Sequence, residues 1–205
     1  MKKLATVILM LTLLCTFSAC SGSSDKTSDL QGEYFDFAQK YRLDYIPYFD
    51  DSAPKDSSEY LMWAFAVNLD NWGEDKGTMC AQYIEDIVQK HFNVTDLTHN
   101  SLPKCWDYAD GVYTAVPSGI NPLPIVILRS YEENEADGQT IYQISIDFAD
   151  SKTYGAYPDD EQYRKIRQAI VKGYYDDLEI YQSDSLAFYL ENGEPVFISH
   201  QNISQ

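Results

Sequence analysis

Three histidines, four cysteines and fifteen basic residues are all that this 205-residue chain offers for metal, thiol or anion chemistry. His91, His99 and His200 form no His-x3-His pair, and no Cys-x-x-Cys occurs, so neither common zinc spacing is present. A Gly-x-Ser-x-Gly elbow, a phosphate loop and a dinucleotide fingerprint are also missing. Asn68-Leu69-Asp70-Asn71-Trp72-Gly73 begins like an EF-hand loop, then fails at Trp72 and at Met79, where the loop needs oxygen ligands. An irregular calcium site built from carboxylates and carbonyls stays open, with no position that the sequence marks. The acidic pairs Glu132-Glu133 and Asp176-Asp177 read as solvated turns. The sequence therefore names no catalytic residue, no metal ligand and no cofactor, and it leans away from an enzyme.

Basic charge is the second deficit. Fifteen Lys and Arg face 32 Asp and Glu, for a formal charge of −17. Such a surface repels nucleic acid and anionic lipid, so nucleic-acid binding is excluded as a function class. Long apolar runs are the third deficit. The longest, residues 4–17, has 14 residues, whereas a bilayer span takes about 20.

That short run nonetheless has a clear context. Lys2 and Lys3 precede it, and Ser18 and Ala19 follow it. A basic start, a short apolar core and a small-residue exit make a secretory signal. Phe17-Ser18-Ala19-Cys20 resembles the bacterial lipobox, with Phe17 in place of the usual Leu. The resemblance implies cleavage before Cys20 and diacylation of its sulfur, and two acyl chains hold a protein stably on a membrane. Residue 21 is Ser, not Asp, so no cue for inner-membrane retention is seen. The implied address is the outer face of the cell membrane. Losing residues 1–19 removes two lysines and no acid, so the mature charge becomes −19.

Residues 20–29 carry no apolar side chain apart from Cys20 and read as a flexible tether. Residues 30–205 suit one domain. Within them only Cys80 and Cys105 are left to pair. The address permits a disulfide, while the apparent place of Cys80 on an apolar helix stripe favours two separate buried thiols.

Apolar spacing predicts helices over 30–41, 57–72 and about 78–91. Asp56 and Glu59 are set to cap the second, which is apolar on nearly every side, and Thr78 to cap the third. Residues 112–116 read as a strand. Residues 125–131 and 140–148 form a hairpin around Asp137-Gly138. A helix follows from Pro158 to about Gly173. A second hairpin, 186–190 with 195–198, turns at Asn192-Gly193. The expected class is α+β: an antiparallel sheet of hairpins packed on helices. The element order resembles cone-shaped nuclear-transport-factor-like and cystatin-like folds, which implies a curved sheet around a long helix. Tyr83 to Phe92, then Trp106-Asp107-Tyr108 and Gly111-Val112-Tyr113, is similar to uncharacterised lipoproteins of Gram-positive gut bacteria. That likeness implies the address and no activity.

The remaining handle is aromatic. Trp72, Trp106, Tyr108 and Tyr113 lie in or beside irregular segments, where they either present a binding surface or fill the core under loops. The leading expectation is a lipid-anchored, non-enzymatic module that binds a protein or cell-wall component. The rivals are a small-ligand or glycan binder with a cone-shaped cavity, and a cell-wall-directed enzyme.

Overall fold

The computed structural model describes residues 23–50, 57–68, 77–102, 105–115, 122–155 and 157–204. Asp-Gly and Asn-Gly pairs set its architecture. Asp110-Gly111, Asp137-Gly138 and Asn192-Gly193 all take positive φ at both residues, the backbone that a tight two-residue hairpin requires. Around them fold β2 (Trp106–Ala109) with β3 (Val112–Ala115), β4 (Ile125–Ala136) with β5 (Gln139–Ser151), and β6 (Leu178–Glu191) with β7 (Glu194–Asn202). The short β1 (Thr78–Cys80) completes a three-stranded sheet in the order β1-β3-β2. The other four strands make an antiparallel sheet in sequence order, open at β4 and β7.

Four α-helices among the described residues pack on these sheets: α1 (Ser23–Lys40), α2 (Ser57–Val67), α3 (Ala81–Phe92) and α4 (Asp160–Val171). The α+β class is as the sequence reading had it. Helix α2 is buried on nearly every side, through Tyr60, Leu61, Trp63, Ala64, Phe65 and Ala66. One buried cluster joins it to Tyr113 of the small sheet and to Ile144 and Leu186 of the large one. A second cluster sits under α4, where Tyr163, Ile166 and Ile170 meet Ile125, Ile127 and Phe35. Asp159 starts α4 with a reciprocal capping box to Gln162, which satisfies two otherwise orphaned donors.

Helix α1 lies against β4 and α4. Gly32 permits the approach to α4: a Cβ there would stand 3.0 Å from Arg167 Nη2 and 3.1 Å from Val171 Cγ2. The cost of a glycine inside a helix is thus explained by packing. Arg167 then clamps α1 through both oxygens of Asp36, at 2.7 and 2.6 Å.

Several boundaries differ from the sequence reading. Helix α1 starts at Ser23, not Leu30, so most of the expected tether is helical. Once a packed segment nucleates a helix, each added residue gains a hydrogen bond at little cost. Thr78 caps nothing; it opens β1, and Cys80 takes the α3 N-cap position, exposed rather than on the apolar stripe. Past α1, on a segment where the sequence reading placed no helix or strand, the chain makes a 3-10 turn, Leu43–Tyr45, entered from a left-handed Arg42. The expected cap at Asp56 and the helical stretch 69–72 lie outside the described residues, as does Cys20.

Candidate binding groove

Tyr34 and Phe37 lie on one stripe of α1, and Tyr41, just past its end and bonded through its N–H to the Phe37 carbonyl, continues the line. Below them, β4, β5 and β6 present Tyr131, Tyr142 and Phe188, with Tyr142 and Phe188 directly paired across strands. The rings form a continuous wall. Centroids lie 5.8 Å apart for Tyr34 and Tyr131, 6.3 Å for Tyr131 and Tyr142, 5.3 Å for Tyr142 and Phe188, and 5.2 Å for Phe188 and Phe37. Over this wall runs an open groove of about 530 Å³, which Leu30, Leu190 and Gly193 also line. Its rim carries Glu33, Asp36 and Lys40.

The two ends differ in charge. At one end Tyr41 donates to Glu194 at 2.6 Å, and Lys40 Nζ donates to the Tyr41 hydroxyl at 2.7 Å. The Tyr41 hydrogen bond holds the Glu194 carboxyl below its usual range. At the other end Tyr131 donates to Glu133. Burial, then the neighbouring Tyr131, Tyr142, Glu133 and Glu33, push the Tyr34 hydroxyl well above the ordinary tyrosine range. Desolvation and the Glu133 carboxylate do the same to Tyr131. Both tyrosines are neutral donors at any physiological pH. An apolar floor with a few oriented polar groups is what a small-molecule or side-chain site requires.

Two further clusters have the residue types of acid–base chemistry. In the first, His99 Nε2 lies 2.7 Å from Glu85 Oε1 and its Nδ1 lies 2.6 Å from the Tyr113 hydroxyl. A neutral imidazole satisfies both contacts, giving to the carboxylate and accepting from the phenol. Tyr113 is wholly buried, so its hydroxyl cannot meet a substrate. In the second, His200 Nε2 lies 2.8 Å from Asp184 Oδ2 and its Nδ1 lies 3.0 Å from the Ile46 carbonyl. A carbonyl only accepts, so Nδ1 carries a proton, and another proton sits between Nε2 and Oδ2. Asp184 and His200 are both buried. Tyr48 donates to Asp184 from above, and Phe49 pairs with His200 through two backbone hydrogen bonds of 3.0 Å. This cluster pins the 46–49 segment to β7. Glu85 and His99 of the first cluster are partly exposed, whereas the second is closed off from solvent at its histidine and aspartate.

The aromatics singled out in the sequence fare differently. Trp106, Tyr108 and Tyr113 do come together, on the three-stranded sheet. Trp106 is buried, stacked on Phe65 at 4.3 Å and donating to the Asn100 carbonyl at 3.0 Å. Tyr113 is buried edge-on against Phe65. Tyr108 is half-buried and stacked on His99 at 5.3 Å. Trp106 and Tyr113 are therefore core rather than surface, because β3 pairs with both β1 and β2 and turns these rings toward α2. Trp72 lies outside the described residues. Cys80 and Cys105 are both free thiols, not a disulfide. Cys80 is exposed on its strand end, and Cys105 is half-buried ahead of β2.

Among the described residues no group of three His, Cys, Asp or Glu could hold a metal ion, and no helix is long and apolar enough to cross a membrane. No family model, curated protein or solved structure matches the chain.

Proposed function

We propose that this chain is an exported lipoprotein, held on the outer face of the cell membrane through Cys20, and that its folded part is a non-enzymatic binding module. The observation that carries the address is the order of residues 1–20: two lysines, a 14-residue apolar run, and Phe17-Ser18-Ala19-Cys20. In this reading residues 1–19 are the signal peptide and residues 30–205 form one domain. Residues 20–29 join the anchor to the domain partly as helix, since α1 begins at Ser23. A rise of about 1.5 Å per residue places Leu30 roughly 10 Å along that helix from Ser23. The groove then opens close to the membrane surface, facing outward partners.

The groove supports the binding half of the proposal. Exposed Leu190 and the half-buried Phe37, Tyr131 and Tyr142 leave apolar surface in contact with water that a ligand would cover. The small-ligand rival rests on the same groove. In place of a cone-shaped or cystatin-like closure around a helix, it would use α1 laid along one edge of an open sheet. The cell-wall enzyme rival has less to stand on, because the Asp184–His200 pair is buried and the Glu85–His99 pair is closed on one side by the buried Tyr113.

Metabolic labelling with a clickable fatty-acid analogue tests the anchor. The wild-type chain should take the label and sediment with membranes. Cys20→Ala should lose the label and change fractionation. A labelled Cys20→Ala chain, or an unlabelled wild-type chain, would overturn the lipoprotein reading. Crosslinking in living cells tests the module: a dominant partner should be lost when Leu190 is changed to Asp, and turnover of a wall substrate by the purified chain would refute it.

A further inference from the structure

We infer that the groove takes an organic cation, an alkylated ammonium group seated at the Tyr34–Tyr131–Tyr142 end with its apolar substituents against Phe37 and Phe188. This deepens the binding-module reading and rests on it.

The charge balance of the groove is the first argument. Asp36 is neutralised by Arg167, and Glu194 by Lys40 at 3.7 Å. Glu33 and Glu133 have no basic partner among the described residues, yet both act on the Tyr34 hydroxyl. Glu33 on the groove rim and Glu133, bonded to Tyr131 just outside it, thus leave that end net negative, with both side chains open to solvent. An anionic ligand would be repelled there, and a neutral one would leave that field unanswered.

Ring chemistry is the second. The faces of tyrosine and phenylalanine carry negative charge density, which attracts ammonium groups when water is partly excluded. At the opposite end a cation already sits beside a ring and a carboxylate, Lys40 Nζ bonding the Tyr41 hydroxyl 4.6 Å from the ring centre and 3.7 Å from Glu194. An incoming cation would meet ring and carboxylate together at the end that lacks a built-in lysine. The chain's net charge of −17 adds long-range attraction for cations and none for anions.

The probes are choline and its uncharged isostere, in which a quaternary carbon replaces the nitrogen. Both are titrated into the full chain in a sugar-headgroup detergent, by calorimetry and by the ring resonances of the groove tyrosines. Choline should bind at least about tenfold more tightly than the isostere, the scale of one or two desolvated cation–ring contacts. It should shift Tyr34, Tyr131 and Tyr142. Glu33→Gln with Glu133→Gln should weaken choline several-fold and leave the isostere unchanged. Tyr131→Leu, which keeps apolar bulk but removes a ring, should also weaken choline. If the isostere binds as tightly as choline, the cation assignment is overturned while the groove stands as a binding site. If neither compound moves the groove resonances at tens of millimolar, the cation assignment fails, and the crosslinking result then decides separately whether the groove is a contact surface.

Discussion

The side-chain amide of Gln31 binds the backbone of Leu128 twice, Nε2 giving to the Leu128 carbonyl at 2.7 Å and Oε1 accepting from the Leu128 N–H at 3.0 Å. One glutamine on α1 thus stands in for a neighbouring strand along the open edge of β4. Gln31 is buried, and the contact falls where the β4–β5 register shifts between Leu128 and Ser130. An edge strand with unpaired groups invites association with other chains. Here a helix covers it and supplies the missing partners.

Replacing Gln31 by Ala should therefore be costly. It strands a buried donor and a buried acceptor, each worth about 1–3 kcal/mol when unsatisfied. The expected loss in urea unfolding is about 2 kcal/mol or more, accompanied by a greater tendency to self-associate. Gln168→Ala, on the exposed face of α4, should stay within about 0.5 kcal/mol of wild type. Equal effects at the two sites would show that the amide bridge does not hold the edge.

Asp184 and His200 carry a comparable burden at the other side of the sheet. Asp184 is fully buried and takes hydrogen bonds from Tyr48, at 3.3 and 3.2 Å, and from Gln182, at 2.8 Å, besides its His200 contact. Removing one member of a buried pair leaves the other uncompensated, typically at about 3–5 kcal/mol. Asp184→Ala should lose stability on that scale, and amide exchange should show the 46–49 segment released from β7. If the segment stays protected, the pair is not what ties it down.

The pH dependence of stability has a definite sign at His91. Its ring is packed among Trp63, Tyr41 and Phe197, and Nδ1 lies 2.7 Å from the Pro195 carbonyl. Burial holds its pKa below the ordinary 6.5 against the opposing Pro195 hydrogen bond, and Lys90 adds a smaller push in the same direction as burial. A neutral imidazole with its proton on Nδ1 keeps this bond. Below about pH 6.5 the unfolded chain gains a proton that the folded chain resists, so stability is complete above that value and falls as pH drops toward the lower folded value. Urea midpoints at pH 7.5 and 5.5 should differ in wild type, and the difference should shrink in His91→Gln. An unchanged difference would assign the acid sensitivity to other groups.

Much of the fold was legible because it is written locally. Asn192-Gly193 and Asp137-Gly138 stand between clear apolar runs and announce their hairpins. Asp110-Gly111 has the same backbone, and its second strand was legible over 112–116, yet the first is four residues long and reads Trp106-Asp107-Tyr108-Ala109, too short a run for period-two alternation to show the hairpin. The groove was not legible for a different reason. Tyr34, Phe37, Tyr131, Tyr142 and Phe188 each look like core residues on a stripe or a strand. Only the placement of α1 along β4, set by Gln31, Gly32 and Arg167, decides that their far sides meet water. The buried Trp106 and Tyr113 show the converse: irregular flanking sequence left surface and core both open, and pairing of three short strands turned them inward.

The cysteines allow the most direct check on the small sheet. The sequence left open a bond between Cys80 and Cys105, which in a chain-entropy account would stabilise the fold by about 3 kcal/mol. The structure has both thiols free, Cys80 exposed at the end of β1 and Cys105 half-buried before β2. Thiol state follows from geometry here, because β3 lies between β1 and β2 in the sheet and separates the two segments that carry them. Maleimide added to the folded, unreduced chain should label Cys80 quickly and Cys105 more slowly, with Cys105 reaching full labelling on unfolding. Reductant should leave the thermal midpoint unchanged, and Cys80→Ser should cost under about 0.5 kcal/mol, as an exposed substitution does. Protection of both thiols until reductant is added would show that they are bonded and that β1 and β2 approach more closely than this sheet order allows.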